Sequence, residues 1–405
     1  MQFSPEISIL RSIIPNIGAD EKLFFILLAG ILKPKEDATY SWTRLKQTAA
    51  QTGEILGFTK EASSRSLKRL EEAGLVNVHL EQGIFGRPRK NWFIKPNGWS
   101  ENSTTLKNFN CPLGIICLDI IHARLRHPKK TSLKNSLLLL ALVLASEADE
   151  TGVVTSSHSK LSQLSGVPKL QMTRRLQQLR ACDFIQESIP GLVQGDFLGR
   201  VNSIHYLNFK HELFFGTGIV AEQLLLSING SSETEQILST FGFPNPHDRL
   251  SSADDAAKEK IGLKRTKISP GSWEQNALNT MKNITSRRYV QCGIERYAAK
   301  LLINKAKIFT TSLWRIQEDI SHSEFVILLL NTQEVPNRND SSKALMFYRL
   351  CADLEELSHS LAEKCIYKIP GSIKKTLDPR KDVYRILPSD MSDRKVVKLE
   401  MISKE

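Results

Sequence analysis

The residues best suited to chemistry share one face of a helix that is predicted to begin at Lys60. They are charged or hydroxyl side chains at helical spacing: Lys60, Glu61, Ser64, Arg65, Lys68 and Arg69. Ser63, Leu67 and Leu70 fall on the opposite face, which predicts that the charged face is left in water. Arginine and lysine pair with phosphate oxygens, and arginine also makes two bonds to guanine. The spacing therefore indicates non-covalent binding of a polyanion; the alternative is a solvated charged face that binds nothing.

A second predicted helix offers a comparable face further along the chain. Its exposed side chains are Lys169, Gln171, Thr173, Arg174, Gln177 and Gln178. Arginine pairs well with guanine and glutamine with adenine, each through two hydrogen bonds. We therefore favour contact with base edges, although glutamine is also a good helix former on any exposed surface.

The elements around the first helix would hold its charged face in place. Gly57 marks a turn, Thr59 is a suitable N-cap, and Gly74 ends the helix where a positive φ is easiest. Apolar residues alternate from Leu75 to Leu80, as in a half-buried strand. A turn over residues 83–90 carries Arg87, Arg89 and Lys90, and Trp92, Phe93 and Ile94 form a returning strand.

Helix, strand, basic loop and strand together are the plan of a winged helix-turn-helix. The pattern L-x-x-L-x-x-x-G-L-V from Leu67 to Val76 resembles the recognition helix of bacterial winged-helix regulators such as the MarR and PadR families. The turn G-R-P-R-K resembles their wings. The resemblance covers about forty residues, from Gly57 to Ile94, and implies that the helix enters the major groove while the wing contacts phosphates or a narrow minor groove. The alternative is a basic hairpin that touches nothing.

The motif occurs twice, at a spacing of 109 positions. Gly166, Arg174, Leu176 and Leu179 follow Gly57, Arg65, Leu67 and Leu70 at this distance, which indicates two copies of one domain. Asp183 stands where the first copy has Gly74, so the second helix is predicted to end differently. The second wing is longer and less basic, with Arg200 near its return.

Composition agrees with a polyanionic partner, either nucleic acid or an anionic membrane surface, and does not choose between the two. The 405 residues carry a net charge of +12, with a pI near 9.3. The six cysteines form no C-x-x-C, which argues against zinc and for reduced, mostly buried thiols. The longest apolar run, Leu137 to Ala145, is too short to span a membrane. We expect a protein of the bacterial cytoplasm, associated with the nucleoid, without a membrane partner or a cofactor.

Motifs of enzymes are not found. The sequence has no P-loop, no H-x-H or H-E-x-x-H, and no G-x-S-x-G. Asp254-Asp255 lies in a linker-like stretch, and His122 and His127 are expected at the surface. Tyr289 beside Arg287 and Arg288 invites a strand-transfer hypothesis, which one tyrosine near basic residues supports only weakly. The prediction is a protein without catalytic activity.

The flanking segments complete the prediction. Asp20 is expected to N-cap a helix that ends at Leu32, and Gly53 to interrupt a helix within residues 40–56. Residues 211–227 are predicted as a helix leading out of the second copy. Residues 273–318 are predicted as a mostly helical, basic segment, residues 343–367 as an amphipathic helix with an acidic patch, and the chain from Pro370 as a loosely held tail.

Together these patterns predict a mainly α fold with small β wings, in which two tandem winged helix-turn-helix domains precede a helical C-terminal region. The predicted divisions are a first winged-helix domain (1–96), a linker (97–110), a second winged-helix domain (111–227), a linker (228–272), a basic helical domain (273–367) and a tail (368–405).

The predicted function is sequence-specific binding of double-stranded DNA by a bacterial transcriptional regulator. The tandem arrangement also resembles replication initiators of plasmids and integrated mobile elements, which bind origin repeats. A third hypothesis is a non-enzymatic adaptor that uses winged helices for protein contact. Further partners left open are a second copy of the chain and a replication or transcription protein bound by the C-terminal helices.

Overall fold

The computed structural model describes residues 4–32, 43–45, 48–81, 89–94, 112–128, 133–192, 201–227, 284–308, 382–388 and 396–404, with most of 351–369. This part of the chain is mainly helical with small sheets. It divides into two compact units. Unit 1 comprises Met1–Gln186 and His205–Ile219, and unit 2 comprises Glu187–Ile204 and Val220–Glu405.

Two helices that are apolar on every side form the core of unit 1. They are α2 (Ala19–Leu32) and α6 (Asn135–Glu147), and they pack against each other. Residues 23–28 of α2 are wholly buried, as is nearly all of the run from Leu138 to Ala145 in α6. A helix without a polar face is stable only when neighbours cover it. Here α1 (Pro5–Leu10), α4 (Lys60–Glu72) and α5 (Gly114–Arg126) pack on α2, and α7 (His158–Ser165) packs on α6.

The first copy of the repeated motif runs from β1 (Thr43–Leu45) through α3 (Ala49–Leu56) and α4 to β2 (Val76–Glu81) and β3 (Arg89–Ile94). The second copy runs from β4 (Val153–Val154) through α7 and α8 (Lys169–Ala181) to β5 (Ile185–Ile189) and β6 (Ile204–Leu207). The strand orders are β1-β3-β2 and β4-β6-β5, so in each copy the last strand in the chain lies in the middle.

The two copies repeat at the spacing predicted from the sequence. Both ends of α7 and α8 lie 109 residues after the corresponding ends of α3 and α4, and β5 begins 109 residues after β2. The turns between the paired helices also match, because Gly57 and Gly166 both have a left-handed backbone, with φ of 75° and 67°. The internal repeat is therefore a repeat of structure as well as of sequence.

The prediction that the second helix ends differently was wrong. Asp183 has φ 59°, close to the 72° of Gly74. An aspartate therefore takes the left-handed conformation here that a glycine takes in the first copy. The closing hydrogen bonds correspond as well. Leu75 N donates to Leu70 O at 2.9 Å in the first copy, and Phe184 N donates to Leu179 O at 3.0 Å in the second. Aspartate tolerates this backbone better than most residues do, so the same helix end forms at a modest cost.

Two predictions near the N-terminus also need correction. Helix α2 begins at Ala19, so Asp20 lies inside its first turn and is not its N-cap. Gly53 does not interrupt α3, which begins at Ala49 behind a Thr48–Gln51 capping box and continues to Leu56. Gly53 is buried, and a Cβ there would approach the hydroxyl oxygen of Ser63 in α4 to 2.1 Å. The glycine is needed because α3 and α4 pack closely at this point.

Unit 2 contains a three-stranded sheet in the order β7-β9-β8, and α9 (Ile284–Ile308) packs against β8. The strands are β7 (Ile219–Ser227), β8 (Asp382–Leu387) and β9 (Val396–Lys404). The predicted helix over 211–227 is thus a short 3-10 turn, Glu212–Phe214, followed by β7. The C-terminal segment is not a loose tail where it is described, since β8 and β9 form an antiparallel pair. The alternating apolar residues of β8 and β9 did not stand out as strands in the sequence, because charged residues lie among them.

None of the helices in the described ranges is both long and apolar enough to cross a membrane.

Candidate nucleic-acid interface

Helix α4 carries the predicted charged face at the surface of unit 1. All six side chains predicted to form it are exposed, while Ser63, Leu67 and Leu70 are fully buried on the opposite side. Thr59 caps the helix by accepting a hydrogen bond from Ala62 N at 3.2 Å. The amphipathic pattern predicted from the sequence is confirmed.

The cations of this face make only weak contacts within the protein. Arg69 and Lys68 lie 3.0 and 4.0 Å from the Glu72 carboxylate, and Arg65 lies 3.9 Å from Glu21. The side chains of Arg65, Lys68 and Arg69 are 62%, 76% and 58% exposed, so each pair is screened by water and contributes little to stability. These cations can turn towards an external anion at small cost.

Helix α8 presents the second predicted face. Lys169, Gln171, Thr173, Arg174 and Gln177 are exposed, and Gln178 is half-buried and accepts a hydrogen bond from Arg175 at 3.1 Å. Met172, Leu176 and Leu179 hold the helix to the core from the other side. The 109-residue spacing places Lys169, Thr173 and Arg174 at the positions of Lys60, Ser64 and Arg65.

Sequence reasoning missed Leu170 on this face. It is the second residue of α8 and its surface is 99% exposed, the highest value among the large apolar side chains of the described residues. The signal was available in the sequence, because Leu170 lies three and four positions before Thr173 and Arg174 and therefore shares their face.

The predicted wing residues fall at the edge of the described chain. Arg89 and Lys90 begin β3, where their backbones pair with Glu81 and Leu80. Arg87 and Arg200 lie outside the described residues, so their proposed phosphate contacts stay predictions.

The turns before α4 and α8 are fixed by close backbone packing. A Cβ on Gly57 would lie 2.7 Å from the carbonyl oxygen of Pro128, and one on Gly166 would lie 2.7 Å from that of Ile17. Both glycines also need the left-handed φ, so no other residue fits without strain. The start of each exposed helix is therefore held firmly on unit 1.

A buried lysine connects the N-terminal segment to the second copy. Lys22 of α2 is 2% exposed, and its ammonium donates to the carbonyl oxygens of Leu10 (2.9 Å) and Ser12 (2.6 Å), and to that of Leu164 in α7. Burial lowers the pKa of Lys22 to about 7. The three acceptors match the three donors of an ammonium group, which favours the charged form against that desolvation.

A buried carboxylate makes a second connection. Glu147, at the end of α6, accepts from Arg11 at 3.2 Å and from the hydroxyl of Ser156 at 2.6 Å, and it also pairs with Lys160 of α7. With Lys22, this network ties the N-terminal helix to the second copy, so the exposed faces of α4 and α8 are carried by one packed scaffold.

Other groups considered from the sequence show no catalytic arrangement in the described part of the chain. No cluster of three or more histidine, cysteine or acidic side chains there could hold a metal ion. Tyr289 is 1% exposed, and burial raises its pKa, so the strand-transfer hypothesis gains no support. His122 and His127 lie at the surface, as expected. Four of the five cysteines described are buried, and all five are free thiols.

Comparisons of the chain with protein-family models, with curated proteins and with solved structures found no match. The two exposed helix faces are therefore the basis for proposing a function.

Proposed function

We propose that this protein binds double-stranded DNA in a sequence-specific manner, with α4 and α8 acting as the recognition helices of two tandem winged helix-turn-helix motifs. The observation that carries the proposal is the repeated exposed triplet. Lys60, Ser64 and Arg65 in α4 correspond to Lys169, Thr173 and Arg174 in α8, each on the outer face of its helix.

The chemistry of this triplet suits the major groove. An α-helix fits into that groove, where arginine makes two hydrogen bonds to guanine and hydroxyl side chains bond to several bases. Lysine at the helix start is placed to neutralise a phosphate. The net charge of +12 adds a long-range attraction to the polyanion.

The arrangement of the motifs further supports DNA as the partner. In both copies the exposed helix is preceded by a shorter helix and a glycine turn and followed by a β-hairpin, as in winged helices. Because both helices belong to one chain, the second would bind after the first at a high effective concentration. Two half-sites could then be bound without dimerisation.

The biological role proposed for this binding is transcriptional control. The covalent tandem of motifs also suits a replication initiator that binds repeats at an origin. The position of the bound sequence in the source genome separates the two roles, since overlap with promoters indicates regulation and several direct repeats beside an A·T-rich stretch indicate initiation.

The proposal is tested by replacing Arg65 and Lys68 with alanine. Loss of one arginine–guanine pair weakens specific binding by roughly 1–3 kcal/mol, and loss of the lysine removes a further contact to the duplex. Footprinting on duplexes that the wild-type protein selects from a random pool should show the first half-site unprotected. A matched control, Lys134→Ala with Lys210→Ala, removes the same charge from exposed positions outside α4 and α8. Unchanged footprints in the Arg65/Lys68 variant would remove α4 from the proposed interface.

A further inference from the structure

The exposed faces of α4 and α8 differ most clearly at their second residue. Helix α4 has Glu61 there and α8 has Leu170, and the 109-residue spacing makes the two positions equivalent. Their neighbours Lys60 and Lys169, one residue earlier, are identical. Two other positions of the faces also differ, since Lys68 and Arg69 correspond to Gln177 and Gln178. Of these three differences, only the change from Glu61 to Leu170 replaces a charged side chain with an apolar one, which points to a difference in what each face contacts.

Leu170 has no role in the packing of unit 1. Its surface is 99% exposed, whereas Met172 and Leu176 of the same helix are buried. Exposed leucines are common singly, but this one shares a helical stripe with Thr173 and Arg174, at the end of the helix that a recognition helix directs towards base edges. Among the groups on base edges in the major groove, the thymine methyl is the apolar one.

Glu61, at the equivalent position of α4, offers a hydrogen-bond acceptor where Leu170 offers an apolar group. It is exposed, and a carboxylate in the major groove accepts a hydrogen bond from the N4 amino group of cytosine. Both bases are pyrimidines, so equivalent helices in equivalent orientations would contact a pyrimidine at the same step of each half-site.

We propose that the second residue of each exposed helix distinguishes the two half-sites, with Leu170 packing on a thymine methyl and Glu61 accepting from cytosine N4. This inference rests on the proposed binding of double-stranded DNA and deepens it. The chain then recognises an asymmetric site whose halves share a guanine contacted by Arg65 and Arg174 and differ at the neighbouring pyrimidine.

The first experiment selects duplexes from a random pool with the full-length wild-type protein and with Leu170→Glu. The wild type should retain a motif with thymine at one step of the second half-site. Leu170→Glu should replace that thymine with cytosine and leave the first half-site unchanged. Leu170→Glu should fold like the wild type, since the Leu170 side chain is exposed to water. A motif that keeps its thymine in Leu170→Glu would overturn the inference.

The second experiment removes only the methyl group. In the selected duplex, deoxyuridine replaces that thymidine, and affinity is measured for the wild type and for Leu170→Ala. The wild type should lose about fourfold in affinity, the equivalent of one buried methyl group, and Leu170→Ala should lose nothing. An equal loss in both proteins, or no loss in either, would refute contact between Leu170 and the methyl group.

The two failures are distinguishable. A wild-type protein that enriches a motif but shows no dependence on Leu170 refutes the inference and leaves the proposed function standing. A wild-type protein that enriches no motif refutes both.

Discussion

Replacing Lys22 with methionine should abolish the part of the rise in the free energy of unfolding between pH 7 and pH 10.5 that comes from this lysine. In the folded protein the pKa of Lys22 is lowered from 10.5 to about 7 by burial. Below pH 7 the folded and unfolded chains both hold the proton, and the penalty for burying the charge is complete. Between pH 7 and pH 10.5 the folded chain loses the proton first, so the free energy of unfolding rises with pH through this window.

The size of the effect follows from the shift. A lowering from 10.5 to about 7 corresponds to roughly 5 kcal/mol over the whole window, or about 2–3 kcal/mol between pH 7.5 and pH 9.5. These are upper bounds, because the carbonyl oxygens of Leu10, Ser12 and Leu164 stabilise the ammonium form. Methionine leaves these three carbonyls without their donor, which costs about 1–3 kcal/mol for each acceptor and opposes the gain from removing the buried charge.

The assay is chemical denaturation at pH 7.5 and pH 9.5, compared between the wild type, Lys22→Met and Lys60→Met. Lys60 is an exposed lysine at the start of α4, so its replacement is a matched control for the loss of one charge. The wild type and Lys60→Met should gain stability with pH by the same amount, and Lys22→Met should gain less. Equal gains in all three proteins would refute the reasoning, because groups other than Lys22 would then account for the whole rise.

Two further predictions concern stability and are measured by denaturant midpoints. Asp183→Gly should stabilise the protein by up to about 1 kcal/mol, because glycine adopts the left-handed φ freely. Gly74→Ala should destabilise it by a similar amount, since an added Cβ there meets no atom within 4 Å and only the backbone is strained. Unchanged stability in both variants would contradict a role for the left-handed backbone in ending these helices. Arg385→Met should destabilise unit 2 by about 3–5 kcal/mol, because it leaves the fully buried Glu400 carboxylate without its ion pair, and adding Glu400→Gln should recover part of the loss. A double variant no more stable than the single one would show that the pair does not carry this energy.

The sequence predicted the elements whose signals are local. Helix α4 was predicted to begin after Thr59 and to end at Gly74, and the structure agrees, because capping and glycine preferences act within one turn of helix. The repeat was predicted because both copies bury leucines at the same helical spacing. The exposure of Arg65 and Arg174 followed from that periodicity.

Predictions from the sequence were wrong where contacts between distant segments decide the local structure. Gly53 resembled a helix breaker, but its role is to let α3 approach Ser63 of α4, which is visible only once the two helices are assembled. Strands β8 and β9 were missed because charged residues lie among their alternating apolar ones, and because β7, which pairs with β9, lies more than 150 residues earlier in the chain. Asp183 was misjudged because the preference for glycine at a helix end is strong but not absolute.

The position of Lys22 could not have been predicted from its neighbours. In the sequence it follows Asp20 and Glu21 in the first turn of α2, where a lysine usually faces water. Its burial depends on carbonyl groups supplied by Leu10 and Ser12 at one end and by Leu164 at a separation of 142 residues. Such a site arises only when the second copy of the motif packs against α2 and the residues that precede it.

The proposed binding of specific double-stranded DNA sequences by α4 and α8 has one decisive test. The full-length protein is incubated with a random duplex pool at two salt concentrations, and the retained duplexes are sequenced. We predict an enriched motif with two related half-sites, bound more weakly at the higher salt concentration because phosphate contacts release counterions. Retention without any enriched sequence, lost at higher salt, would contradict specific recognition and leave only attraction between charges.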